Sequence, residues 1–197
     1  MTSKVQICNL ALLAIGAESY IQSIDEHSPQ AKACKQAYDD MVEAALADHD
    51  WNFATQYDTL ALVGEPPGDW AYQYAYPNGC VRAREIIRPS RQGYDPIPFT
   101  IASASDGNSR VILTDEAEAQ LRYTGLITNP GMYPPIFVEA LALRLSMAIT
   151  MPLTRKQKLL EQQTRLYQGA LIRAAAASGN ERQEDRPEDA DWIKDRE

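Results

Sequence analysis

Ser3-Lys4-Val5-Gln6-Ile7-Cys8-Asn9-Leu10-Ala11-Leu12-Leu13-Ala14-Ile15-Gly16, followed by Ser28-Pro29 and the run that ends in Asp50-Trp51-Asn52-Phe53-Ala54, gives two helix patterns leading into an aromatic stop. Ser3 with Gln6 is a polar pair suited to the orphan amides of a helix start. Val5, Cys8, Leu12 and Ile15 recur every three to four residues, and Gly16 supplies a left-handed stop. In the second run Ser28 is placed to cap and Pro29 to occupy the first helical position, where its missing amide costs nothing. Cys34, Tyr38, Met41, Ala45 and Leu46 form the apolar stripe of that run. Asp39, Asp40, Glu43, Asp48 and Asp50 fall mostly off it and read as solvated face. The spacing predicts helices over about 3–16 and 29–50, joined by a loop from Ile21 to His27.

Beyond the aromatic stop the period changes. Leu60 to Pro67 reads as loop, and then Trp70, Tyr72, Tyr74 and Tyr76 alternate with Ala71, Gln73 and Ala75 at the strand period of two. Pro77-Asn78-Gly79 turns the chain into a second strand, Cys80 to Ile87, with Arg82, Arg84 and Arg88 on one side. Arg91 to Pro98 reads as loop. Arg110 to Thr114 and Ala119 to Thr124 flank the acidic turn Asp115-Glu116-Ala117-Glu118, a hairpin signal. A small antiparallel sheet over about 70–124 is therefore expected between helical segments.

Helical pattern returns at Pro135. Ile136 to Met151 is apolar on most of its circumference, as expected for a helix buried on several sides and stopped by Pro152. Thr154 with Gln157 offers another capping pattern. Leu159, Leu160, Leu166, Tyr167, Ala170, Leu171 and Ala174 make the stripe of a fourth helix, over about 155–178, ended by Ser178-Gly179-Asn180. The expected fold class is α+β with helices dominant: a four-helix bundle with a β insertion between its second and third helices, in one domain over 1–180. Twelve of the seventeen residues from Glu181 to Glu197 are charged, too many to bury apolar surface, so a mobile tail is expected there. Trp192-Ile193 is its single apolar pair. It is either incidental or an anchor that orders on a partner.

With 197 residues, 45% hydrophobic and 23% charged, the chain is long enough for one core burying roughly 70% of its unfolded surface. No apolar run is read as approaching the roughly 20 residues that span a bilayer, and no leader pattern opens the chain, so a cytoplasmic protein is expected. Cys8, Cys34 and Cys80 are odd in number and widely spaced, which favours buried thiols over a disulfide or a metal site. A net charge of −8 argues against a protein that grips nucleic acid by its phosphates.

Several segments together resemble the podovirus tail tubular protein A family, the head-to-tail adaptors of short-tailed phages. They are Ile7-Cys8-Asn9-Leu10-Ala11-Leu12 with Ile15-Gly16-Ala17, Ile24-Asp25-Glu26, Cys34 and Tyr38-Asp39; Trp51-Asn52-Phe53-Ala54; Tyr76-Pro77-Asn78-Gly79-Cys80-Val81-Arg82; and Tyr123-Thr124-Gly125 through Phe137-Val138-Glu139-Ala140-Leu141. The resemblance covers most of residues 4 to 175 and lapses over Ser90 to Gly107 and in the tail. It implies a structural virion protein, neither enzyme nor cofactor-binding, assembled in the host cytoplasm. It further implies a ring of about twelve copies between the portal protein and the tail nozzle protein, with tail fibres as a further candidate partner and DNA passing through the centre. Twelve copies at −8 each carry about −96 charges, and a negative wall discourages DNA from sticking.

The candidate contact residues follow. Trp192 and Ile193 are the candidate portal-docking pair. Trp70, Tyr72, Tyr74 and Tyr76, with Arg82 and Arg84, are the candidate nozzle or subunit interface. For the aromatic stripe, core packing of a sheet face is the competing reading. For the arginines, salt bridges or exposed strand positions compete with approach to DNA in the lumen. Trp51 and Phe53 read as core. Two alternatives to the adaptor stay open. One is a peptidoglycan hydrolase using two of the carboxylates Asp39, Asp40, Glu43, Asp48 and Asp50; the other is a soluble helical interaction protein unrelated to virions.

Overall fold

Ser3 caps helix α1 (Lys4–Ala14) as its pattern predicts: its hydroxyl accepts the Gln6 amide at 3.1 Å. Gly16, at φ +67°, closes that helix in the left-handed region, with the Ala17 amide reaching back to the Leu12 carbonyl. The structure is a computed structural model that describes residues 2–87 and 96–181. Helix α2 (Pro29–Asp48) starts on the Ser28 cap with Pro29 in its first turn. A 3-10 turn at Asn52–Ala54 leads into the sheets, and a second at Pro130–Met132 leads out of them to α3 (Pro135–Thr154) and α4 (Gln157–Glu181). The class is thus mixed α+β, with four helices.

α3 packs against each of the other three helices. Ile7 and Leu12 of α1, Cys34 and Leu46 of α2, Phe137, Leu141 and Leu145 of α3, and Tyr167 and Ala170 of α4 share one core. Trp51 lies in it with 2% of its surface exposed, donating its indole N–H to the Ala45 carbonyl at 2.7 Å and meeting the edge of Phe137 at 4.9 Å. Phe53 packs beside it on the same ring. Gln163 is buried among these helices with its polar atoms satisfied: its amide donates to the Ala14 carbonyl and its oxygen accepts from Ser146. Cys8, Cys34 and Cys80 are free and buried.

Two expectations about the helices need correction. Pro152 lies inside α3, which continues to Thr154. In the last turn a proline removes a single ladder bond, and the helix ends instead where Arg155 turns left-handed at φ +56°. α4 likewise runs through Ser178-Gly179-Asn180 to Glu181, since one interior glycine costs only about 1 kcal/mol. α3 is also, by length and composition, apolar enough to cross a membrane, with 20 residues at a mean hydropathy of 1.6. Nine of its residues are buried, as suits a core helix.

The β region is two three-stranded sheets rather than one, and it begins at Thr55. Strands β1 (Thr55–Thr59), β2 (Tyr72–Ala75), β3 (Cys80–Ile87), β4 (Phe99–Ser103), β5 (Arg110–Thr114) and β6 (Gln120–Gly125) pair antiparallel, in orders β1-β6-β3 and β2-β5-β4. Ile86, Leu121 and Tyr123 of the first sheet share a second core with Tyr74 and Ile112 of the other. The expected hairpin of 110–114 with 119–124 does not form. β5 pairs with β2 and β4, β6 with β1 and β3, and Asp115 to Ala119 is a corner between sheets. The hairpin that does form is β4–β5, closed by the Ala104 amide on the Ser109 carbonyl at 2.8 Å, with Gly107 at φ +69°.

Candidate interaction surfaces

The aromatic stripe divides between core and rim. Trp70 lies outside β2 and is half-buried, as are Tyr72 and Tyr76. Tyr74 is 1% exposed. Its hydroxyl donates to the Glu116 carbonyl at 2.9 Å and accepts the Ala119 amide, so it pins the corner that carries the chain from one sheet to the other. As a surface contact residue Tyr74 is therefore corrected: its ring is spent inside the sandwich. Tyr72 stacks on it with ring centroids 6.1 Å apart. Tyr76 lies beneath the Arg110 guanidinium at 4.0 Å, and burial, with a hydrogen bond that it donates to Cys80, pushes its hydroxyl up to about 12.

Arg82 and Arg84 both reach the carboxyl end of α2. A helix end leaves carbonyls without partners and carries partial negative charge, so a strand-borne guanidinium satisfies both needs. Arg82 donates to the Ala47 carbonyl at 3.0 Å. Arg84 donates to the His49 carbonyl at 2.6 Å, with Leu46 and Ala47 at 3.4 Å, and to the Thr124 hydroxyl at 2.8 Å. Burial draws its affinity for the proton down while Asp50, 3.7 Å away, draws it up. Asp50 is itself gripped by both carboxylate oxygens, at 3.0 and 2.9 Å, by Arg122, which also pairs with Glu85 across the sheet. These cations hold the sheet to the end of α2.

The carboxylates considered for hydrolysis are dispersed among such contacts. Asp39 pairs with Lys4 at 2.8 Å, Asp48 accepts the Tyr167 hydroxyl at 2.8 Å and pairs with Arg144, and Asp50 belongs to the arginine cluster. Asp40 and Glu43 are exposed on α2. His49 shares a hydrogen bond with Ser178 at 3.3 Å. Among the described residues no group of three or more His, Cys, Asp or Glu side chains converges as a metal site. Trp192 and Ile193, like Arg88 and Arg91, lie outside the described residues.

One surface escaped the pattern reading. Leu10 and Leu13 on α1, Tyr20 beyond it and Leu166 on α4 are 38%, 58%, 55% and 47% exposed, although Leu166 was expected in the buried stripe of its helix. Between α1, α3 and α4 runs an apolar slot of about 530 Å³, floored by Val138, Ala142 and Leu143. Part of the signal was present: α1 has no charged side chain after Lys4, so no strongly solvated face is marked on it, although nothing says which of its leucines stay outside.

Comparison with models of known protein families finds no match, and comparison with curated proteins finds none.

Proposed function

We propose that this chain is a structural virion protein, a head-to-tail adaptor whose copies form a ring between portal and tail nozzle and line a conduit for DNA. The supporting observation is convergence. The segments that carry the resemblance are far apart in sequence, yet they meet at one junction. Trp51 and Phe53 pack on Phe137, Val81 packs against the helical core, and Arg82 caps the helix that ends just before Trp51. In this reading the four helices act as a bundle that keeps the subunit rigid, while the sheets and the tail make its contacts within the ring and with the nozzle and the portal. The net charge of −8 suits a wall past which DNA slides, and the cations near the junction are engaged with protein groups.

Removing residues 182–197 tests the role given to the tail. The shortened chain is expected to keep its thermal unfolding midpoint and to lose at least about tenfold in affinity for the portal ring, the effect of one lost anchor of about 1.4 kcal/mol. Equal affinity with and without the tail would remove Trp192 and Ile193 from the docking surface.

A further inference from the structure

We propose that the ridge of Gln6, Leu10 and Leu13 on α1, together with the slot beside it, is the surface through which one copy of this chain contacts another. The three residues recur at helical spacing along the exposed side of α1 and stand between two apolar grooves. The slot of about 530 Å³ lies on one side, and a groove of about 390 Å³ bordered by Val5, Asn9 and Tyr20 on the other. Helix surfaces pack by seating the ridge of one in the groove of another. A face that carries both a ridge and its grooves is complementary to itself, so a second copy is the occupant that fits.

Charge points the same way. The chain carries −8, and most ways of bringing two copies together press like charges against each other. This face carries little net charge. The ridge has no charged member, Lys4 is turned to Asp39 and the Tyr38 ring on α2, and the one charged pair bordering the slot, Glu139 with Arg173, is neutral as a unit. Two copies meet here without electrostatic penalty while covering leucines that otherwise face water. A face complementary to itself pairs copies about a twofold axis, so this contact is distinct from the head-to-tail contacts that close a ring and does not rest on the adaptor reading.

The full-length chain and the variant Leu10→Asp with Leu13→Asp are to be compared by sedimentation equilibrium over a dilution series, without portal. Leu13→Asp alone serves as the milder change, and far-UV circular dichroism checks the fold of each. The wild-type mass is expected to rise above the 22.0 kDa of one chain as concentration increases. The double variant is expected to associate at least about 100-fold more weakly, since an ionised carboxylate buried in an apolar contact costs several kcal/mol. Wild type that stays at one chain mass throughout, or a folded double variant that associates as wild type does, overturns the proposal. Self-association without portal binding would sink the adaptor reading and leave this contact standing.

Discussion

Arg84 is a helix cap supplied from a strand, 35 residues along the chain from the His49 carbonyl it holds. A helix most often settles its last carbonyls locally; here a guanidinium fork closes α2 and docks the sheet in the same stroke. Arg84→Met keeps much of the side chain's bulk and strands the His49 carbonyl, while Asp50 keeps its pair with Arg122. It is expected to lower unfolding stability by about 2–4 kcal/mol in urea titration at neutral pH. A loss below about 0.5 kcal/mol would show that water takes over the cap. Arg84→Lys is expected to recover only part, because one ammonium cannot replace the fork. The period of two was enough to place Arg82 and Arg84 on one side of a strand. Their partners were not legible, because those depend on how α2 docks against β3, which no local pattern encodes.

At the scale of elements, the sequence showed best what is strongly periodic or sharply capped. Ser3, Gly16, Ser28 and Pro29 do at the ends of α1 and α2 what their chemistry predicts. β1 and β4 were missed because their side chains are mostly exposed and their apolar pattern is short: β1 has Tyr57 alone, and β4 alternates only over Phe99 and Ile101. The false hairpin has another cause. Turn residues between two strand-like runs say that the chain bends, and nothing in them says whether the second run rejoins the first sheet or crosses to another. What makes Asp115 to Ala119 a corner is the Tyr74 hydroxyl, supplied from β2. The sandwich between the sheets depends on β5, whose Ile112 is fully buried opposite Tyr74. Ile112→Ala is expected to cost about 2–5 kcal/mol in the same titration. A change within about 0.5 kcal/mol would mean that the two sheets do not share a packed core.

For the whole molecule, burial sets an alkaline limit. It raises the hydroxyls of Tyr38 and Tyr167 well above the ordinary tyrosine value of 10.0, and those of Tyr76 and Tyr133 to about 12. The folded values lie above the unfolded one, so below pH 10.0 both states keep these protons and stability does not depend on them. Between pH 10 and 12 the unfolded chain loses them first, and stability falls as pH rises. The thermal midpoint is therefore expected to drop through that window, with tyrosinate absorbance lagging until the fold gives way; a flat midpoint would contradict the burial of these rings. The same scale holds the functional claim. Fold class was largely legible from helical period and caps, whereas the exposed face of α1 was not, because a pattern of apolar residues does not say which of them the fold leaves outside. The most direct measurement is the mass of the chain mixed with the portal ring of the virion it is proposed to join. The account predicts a closed complex that gains about twelve copies of a 22.0 kDa chain. A portal ring whose mass is unchanged by a saturating excess of the folded chain would contradict it.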